Sequence, residues 1–402
     1  MDSFECLACG PLAARDPYSP FCPGCGEPLF IAPPVRPGGR DIHEARPLAI
    51  EKFADFLPLD VVDRSLSLGE GMTPLVPLGR VGAALGLGGV YAKNEAQNPT
   101  GSFKDRGTAV AVQKAVSLGN KRIGTVSTGN MAASTAAYGA RAGLETFVLL
   151  KEGTSAASLR VAGIHGPRLV AVDGDYGDLF RASLEVGRKL HITFMNSIDP
   201  YRMEGYKLTA FEIFLQLGRR APRTVFVPLS SGGHLLGLMR GFADLEREGM
   251  IQVYPAFVGV QARGCAPLVR AFDAGLKKYA RLAEVRTIAH AIANPAPPAG
   301  NAVLRVIRER HGLLLAVSDE EMLNAQQELA ASEGLFCQPE SAATLAALKK
   351  LATAGSFRDR SGDDVIVLTG SGLKTPDLLE SAPIAIHRVS LEGLEAGLAR
   401  LV

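Results

Sequence analysis

The sequence predicts an α/β protein built on open parallel sheets, preceded by a small cysteine-rich segment. Three observations carry this. Short, continuously apolar runs recur along the chain, amphipathic or Ala-rich stretches separate them, and four of the six cysteines fall within the first 25 residues. Strands buried on both faces read as unbroken apolar runs, and parallel pairing needs a helical crossover between them.

The elements follow in chain order. Cys6 and Cys9 are two residues apart, as are Cys22 and Cys25, and each pair is followed directly by glycine, Gly10 and Gly26. Four thiolates at this spacing suit one tetrahedral zinc ion, and four protein ligands leave no open position, so such a metal would be structural; reduced structural thiols or a redox pair are the alternative. A Pro/Gly-rich linker, Ala32 to Gly39, closes a segment assigned to residues 1–40. Buried strands are expected at Ile123–Val126, Thr146–Leu150, Arg168–Val172, Thr224–Pro228, Phe257–Val260 and Asp364–Leu368. Helices are expected over 131–143, 205–218 and 319–333. The last has Ser318 as N-cap and Asp319, Glu320 and Glu321 in its first turn. Cys265 and Cys337 sit alone in apolar surroundings and read as core residues. Residues 381–402 read as a C-terminal extension with a short amphipathic helix, Leu391–Leu401.

Composition excludes several classes. The 402 residues are 47% hydrophobic and 21% charged, enough for a sizeable core, and the formal charge of +2 carries no nucleic-acid or membrane signature. Glycine (44) and proline (25) have no period, which excludes collagen. No apolar run approaches the roughly 20 residues that span a bilayer, and Met1–Glu5 has neither a basic nor an apolar leader character. A soluble, cytoplasmic protein is expected.

Four loops carry chemistry, because open parallel sheets bind ligands where loops leave strand ends and open helices. Lys104 follows a Gly-Ser turn within Asn98–Gly107, where a deprotonated amine can bond a carbonyl carbon. Ser127, Thr128, Gly129 and Asn130 open an Ala-rich helix, whose free N–H groups favour a carboxylate. Ser230, Ser231, Gly232, Gly233 and His234 form a small-residue turn suited to phosphate, without the spacing of a dinucleotide fingerprint. Thr369–Lys374 offers hydroxyls at a strand end.

Together and in this order, these loops resemble the fold-type II pyridoxal-phosphate enzymes, and within them the threonine synthases. The resemblance covers about residues 60–377. It runs from Leu68-Gly69-Glu70-Gly71-Met72-Thr73-Pro74-Leu75 through Asn98–Gly107, Ser127–Asn130 and Arg202–Lys207. It continues through Gly259–Ala262, Glu333–Phe336, Pro339 and Ser341–Ala343, and closes at Thr369–Lys374. It implies two open α/β domains with pyridoxal 5'-phosphate between them, a large one of 41–102 plus 204–380 and a small one of 103–203, in a homodimer. It also implies roles. Lys104 would hold the cofactor and move protons. Phe103 would lie against its ring, and Asn130 would bond its phenolic oxygen. Ser230–His234 would hold its phosphate, and Thr369 would face its ring nitrogen. Ser127, Thr128 and Asn130 would receive the substrate carboxylate; Ser197 and Arg202 would bind a substrate phosphate. The implied reaction converts O-phospho-L-homoserine and water to L-threonine and phosphate. Three positions depart from the family pattern: Met131 stands where members carry threonine, the usual G-N-A-G-N is Ser230–His234, and G-Q-K-T is Gly205-Tyr206-Lys207-Leu208. Cysteate-synthase-like chemistry on O-phosphoserine, a threonine or serine dehydratase, and a non-catalytic cofactor-binding paralogue are the competing readings.

Overall fold

The computed structural model of the chain describes residues 2–33, 39–154, 156–174, 176–356, 361–375, 386–388, 390–392 and 394–401. The expected linker residues 34–38 and most of 376–393 lie outside these; within the C-terminal segment a short helix spans Leu394–Ala399.

Three sheets organise the described chain. The N-terminal sheet is antiparallel, β2(Gly10–Leu12)-β1(Phe4–Cys6)-β3(Leu29–Ile31). A six-stranded sheet runs β12(Leu313–Val317)-β11(Ala256–Ala262)-β10(Thr224–Pro228)-β13(Asp363–Leu368)-β5(Gly89–Asn94)-β4(Leu75–Pro77). It is parallel except for β4, which lies antiparallel on its edge. A four-stranded parallel sheet runs β8(Arg168–Val172)-β7(Glu145–Lys151)-β6(Arg122–Val126)-β9(Thr193–Phe194).

The period of two along a strand assigns the cores of the large sheet. Val225, Val227, Val365 and Val367 enter one buried cluster, while their neighbours Phe226, Ile366 and Leu368 enter another. The first cluster takes in α3(Lys104–Ser117), α7(Pro200–Gln216) and α8(Gly233–Arg247); the second takes in α11(Asp319–Glu333) and α12(Pro339–Thr353). The sheet is therefore covered on both faces, as the unbroken apolar runs require. One expected buried strand is not buried: β8 forms the edge of the small sheet, and Leu169 and Val170 are exposed there. Its apolar run is the same as those of its neighbours, but it has a partner strand on one side only.

Helix ends follow local chemistry. The α11 helix spans the residues expected. Ser318 and Glu321 form a reciprocal capping box, and Gly334 ends the helix at φ +71°. The α4 helix, Asn130–Arg141, matches the expected Ala-rich stretch closely. The α7 helix starts five residues before the expected 205, because Asp199 accepts from the N–H groups of Tyr201 and Arg202 and Pro200 occupies the first turn. Cys265 and Cys337 are buried, as expected. Among the described residues no helix is long and apolar enough to cross a membrane.

The N-terminal sheet docks on elements from both larger sheets. Asp2 accepts from the Tyr201 hydroxyl (2.8 Å) and pairs with Lys114 (2.7 Å). Arg240 of α8 reaches Glu5 (3.1 Å), and Asn301 donates to Glu27 (2.9 Å). Phe21 packs edge-on against Phe180 of α6(Tyr176–Leu190), and Arg188 of the same helix pairs with Asp16.

Candidate active site

Lys104 opens α3 and forms the centre of the site. Its ammonium lies 4.4 Å from the Phe103 ring centroid and 6.0 Å from that of Tyr206, and no acceptor among the described residues hydrogen-bonds it. Burial, and then the charge of Arg202, lowers its pKa to about 7. The amine is therefore largely neutral slightly above neutrality, the state that attacks a carbonyl carbon or accepts a proton.

A buried ionic cluster fixes the segment that carries it. Two residues along, Arg106 donates to Glu95 (2.5 Å), Glu212 (2.5 Å) and Thr73 (3.0 Å), and Lys93 bonds Glu212 (2.6 Å); these residues are all buried. Burial raises the Glu212 pKa, but Arg106 and Lys93 overcome this and hold it at about 2. Charges this deep persist only when each is paired. The cluster ties α3 to β5, α7 and the Leu68–Leu75 motif. Asp105 accepts from the Thr100 N–H (2.7 Å) and hydroxyl (2.6 Å) and so locks the turn before Lys104.

The second loop brings Asn130 to the same place. The helix α4 begins after Gly129 with no side-chain cap, so its first N–H groups stay available to an anion. Ser127 and Asn130 are partly buried and Thr128 is exposed. Asn130 donates from Nδ2 to Oε1 of Gln338 (2.7 Å), the residue that precedes α12.

The third loop has the backbone shape of an anion cradle. Gly232 sits at φ +97°, and α8 starts at Gly233 without a side-chain cap. A Cβ on Gly232 would meet Val303 (2.9 Å) and Ala299 (3.0 Å), and one on Gly233 would meet the Ser197 carbonyl (2.5 Å). Only glycine fits, which leaves the turn lined by bare backbone donors. Ser230 and Ser231 are partly buried at its lip. His234 turns inward instead: its ring stacks on Phe103 at 3.8 Å and 23°, with Tyr206 edge-on at 5.4 Å. Both His234 ring nitrogens and the Ser102 hydroxyl are buried without a hydrogen-bond partner. Burial, with the charges of Lys104 and Arg106, holds His234 well below the ordinary histidine pKa. Orphaned polar atoms beside a bare helix terminus, next to an unpaired lysine, fit a ligand that brings both a phosphate and a polar ring.

The fourth loop closes the site. The Phe103 N–H donates to the Thr369 carbonyl (3.0 Å), and the Thr369 hydroxyl meets that of Ser341 (2.8 Å). Arg202 is fully buried beside Lys104. It donates to the Met195 carbonyl (2.7 Å) and to the hydroxyls of Thr108 (2.8 Å) and Thr135 (2.6 Å), which fixes the plane of its guanidinium. Ser197, also buried, lies behind the Gly233 turn. A cavity of about 680 Å³ between the two sheets is lined by Thr100, Gly101, Ala133, Ser371 and Lys374 beside these loops.

Four dispersed sequence segments thus converge on one lysine, with uncapped helix starts around it, as in enzymes that hold a phosphorylated aldehyde cofactor. The chain belongs to the pyridoxal-phosphate dependent enzymes, whose family model matches residues 66–372. Within that family it is 37% identical over 377 residues to threonine synthase of Methanocaldococcus jannaschii, covering 93% of each chain. It is also 37% identical over 335 residues to threonine synthase of Bacillus sp., covering 83% of this chain and 92% of the relative. These relatives place it among the threonine synthases, and the enzyme is a pyridoxal-phosphate dependent lyase. Diaminopropionate ammonia lyase of Escherichia coli shares the fold, with a TM-score of 0.67 at 16% identity over 78% of this chain and 88% of that one.

Sequence reasoning missed Gln338, the Arg106 cluster and the inward turn of His234. Pro339, at the first turn of α12, marks residue 338 as a helix start, which was the available signal for Gln338. Nothing in the sequence pairs Arg106 with Glu212, because they are 106 positions apart.

At the N-terminus the Sγ atoms of Cys6, Cys9, Cys22 and Cys25 all lie within 4.8 Å of one another, with Cys6 and Cys25 at 3.5 Å. Gly10 and Gly26 take positive φ, +83° and +73°, as the knuckle turns require.

Proposed function

We propose that this enzyme converts O-phospho-L-homoserine and water to L-threonine and phosphate. The carrying observation is Lys104, partly buried, unpaired and poised near pKa 7 where the four loops meet.

In this reading the cofactor, when bound, withdraws electrons from the carbon that bears the substrate's amino group. The chain's own residues do the rest. Lys104 would carry the cofactor and move protons at the substrate's Cα and Cβ. The backbone donors of Ser230–His234 would hold the cofactor phosphate, Phe103 would lie against its ring, and Thr369 would face the ring nitrogen. A hydroxyl there, itself paired with Ser341, leaves that nitrogen without a compensating carboxylate. Ser127, Thr128 and Asn130, at the bare start of α4, receive the substrate carboxylate. Ser197 and Arg202 clamp its phosphate. Arg202 has three of its donors tied to fixed oxygens, so the fork is oriented before substrate arrives.

The division into a large domain, 41–102 plus 204–380, and a small one, 103–203, belongs to the same reading, as do a homodimer, a cytoplasmic location and the absence of nucleic-acid or membrane partners. The four cysteines hold one structural zinc ion; tetrahedral Zn–S bonds of about 2.3 Å place thiolates about 3.8 Å apart, close to the spacing present.

The test is phosphate release by the cofactor-loaded enzyme, with the amino-acid product identified. O-phospho-L-homoserine should give phosphate and threonine. Release from O-phospho-L-serine alone, or ammonia from threonine, would overturn the assignment in favour of the competing chemistries.

A further inference from the structure

Two side-chain amides meet across the cleft. Asn130 stands at the start of α4, against the four-stranded sheet, and Gln338 stands at the start of α12, against the six-stranded one. Their 2.7 Å bond, from Nδ2 to Oε1, joins positions 208 apart. Gln338 is only 7% exposed, and its backbone is fixed. Its N–H donates to the Gly370 carbonyl (2.9 Å), and its own carbonyl accepts from Ser341 (2.9 Å) and Ala342 (3.1 Å). Gly370 makes room for the pair: a Cβ there would lie 3.1 Å from Gln338 Cδ and 3.3 Å from Asn130 Nδ2. Beyond this bond, Asn130 Oδ1 and Gln338 Nε2 meet no hydrogen-bond partner among the described residues.

A side-chain amide held at one end has less freedom to turn, and Asn130 is held here by a residue whose own backbone is bonded on both sides. We propose that Gln338 is a positioning residue that holds the Asn130 amide toward the phenolic oxygen of the cofactor, across the boundary between the two sheets. This rests on the reading that Asn130 addresses that oxygen. It assigns Gln338 no contact with substrate.

The experiment uses holoenzyme without substrate. It measures the visible absorption band and the Kd for pyridoxal phosphate in Asn130→Ala, Gln338→Met, Gln338→Glu and the double variants. Gln338→Met keeps the volume and loses the acceptor; Gln338→Glu keeps an acceptor. Asn130→Ala should move the band and weaken cofactor binding about tenfold, on the scale of one hydrogen bond in a buried site. Gln338→Met should move the band in the same direction. Adding Asn130→Ala to Gln338→Met should then change little, whereas adding it to Gln338→Glu should produce the full shift. A band that moves in Asn130→Ala but not in Gln338→Met, or additive effects in that double variant, would overturn the proposal while leaving the role of Asn130 standing. An unchanged band in Asn130→Ala would overturn both.

Discussion

Lys104→Met should change the pH dependence of stability in the cofactor-free enzyme by a calculable amount. The lysine falls from an ordinary 10.5 to about 7 in the folded protein, mainly through burial and then through Arg202. Because the folded pKa is depressed for a base, the unfolded chain binds more protons between these two values. Wild-type stability therefore rises with pH across that window, and the penalty is fully present below pH 7. At about 1.36 kcal/mol for each tenfold change in proton affinity, the fall from 10.5 to about 7 is worth on the order of 5 kcal/mol in the low-pH limit. Between about pH 6 and pH 9.5 roughly 3 kcal/mol of that penalty is relieved. Methionine keeps most of the volume and has nothing to titrate. Denaturant unfolding of both apo-proteins at a series of pH values isolates the effect, since groups beyond the reach of Lys104 cancel in the difference. The variant should be the more stable protein at pH 6, and its advantage should shrink by about 3 kcal/mol toward pH 9.5. Parallel stability curves would refute the depressed lysine and with it the poise assigned to the site.

Other expectations follow the same logic. Tyr138→Phe removes a buried bond from the Tyr138 hydroxyl to Glu70 (2.8 Å) and should cost about 1.5–3 kcal/mol in unfolding free energy. Gly370→Ala places a Cβ against the Gln338 and Asn130 amides and should cost about 1–3 kcal/mol, read by denaturant unfolding alongside a cofactor titration. Cys22→Ser should lower zinc per chain to well below one equivalent by elemental analysis; full retention of metal would remove the zinc assignment.

Six strands of the two larger sheets were legible because buried parallel strands carry a redundant signal, whereas Leu75–Pro77, Gly89–Asn94, Thr193–Phe194 and Leu313–Val317 were not among those expected. Thr224–Pro228 and Asp364–Leu368 needed only their apolar runs, and Asp319–Glu333 needed only its caps. Sequence could not show that Arg168–Val172 lies at an edge, because strand order is a long-range property. The candidate site stood out in the sequence through the order of its motifs, Asn98–Gly107 and Ser230–His234 among them, because a lysine in a loop is by itself most often a solvated charge. The orientation of His234 did not, because it depends on two rings, Phe103 and Tyr206, brought in from distant helices. Gln338 escaped for a related reason: its partner Asn130 belongs to the other sheet.

The docking of the cysteine knuckle also has a consequence for how the chain is made. Its partners Lys114, Phe180, Tyr201, Arg240 and Asn301 are spread over the following 300 positions, and the last pair spans 274 residues. At roughly 5–20 residues per second, a ribosome needs about 15–55 s to deliver that partner after the knuckle has been translated. The four thiols therefore spend tens of seconds on the nascent chain before their docking surface exists. With zinc bound as proposed, metal loading has time to come first, and seating the loaded knuckle across both halves becomes a closing event of assembly.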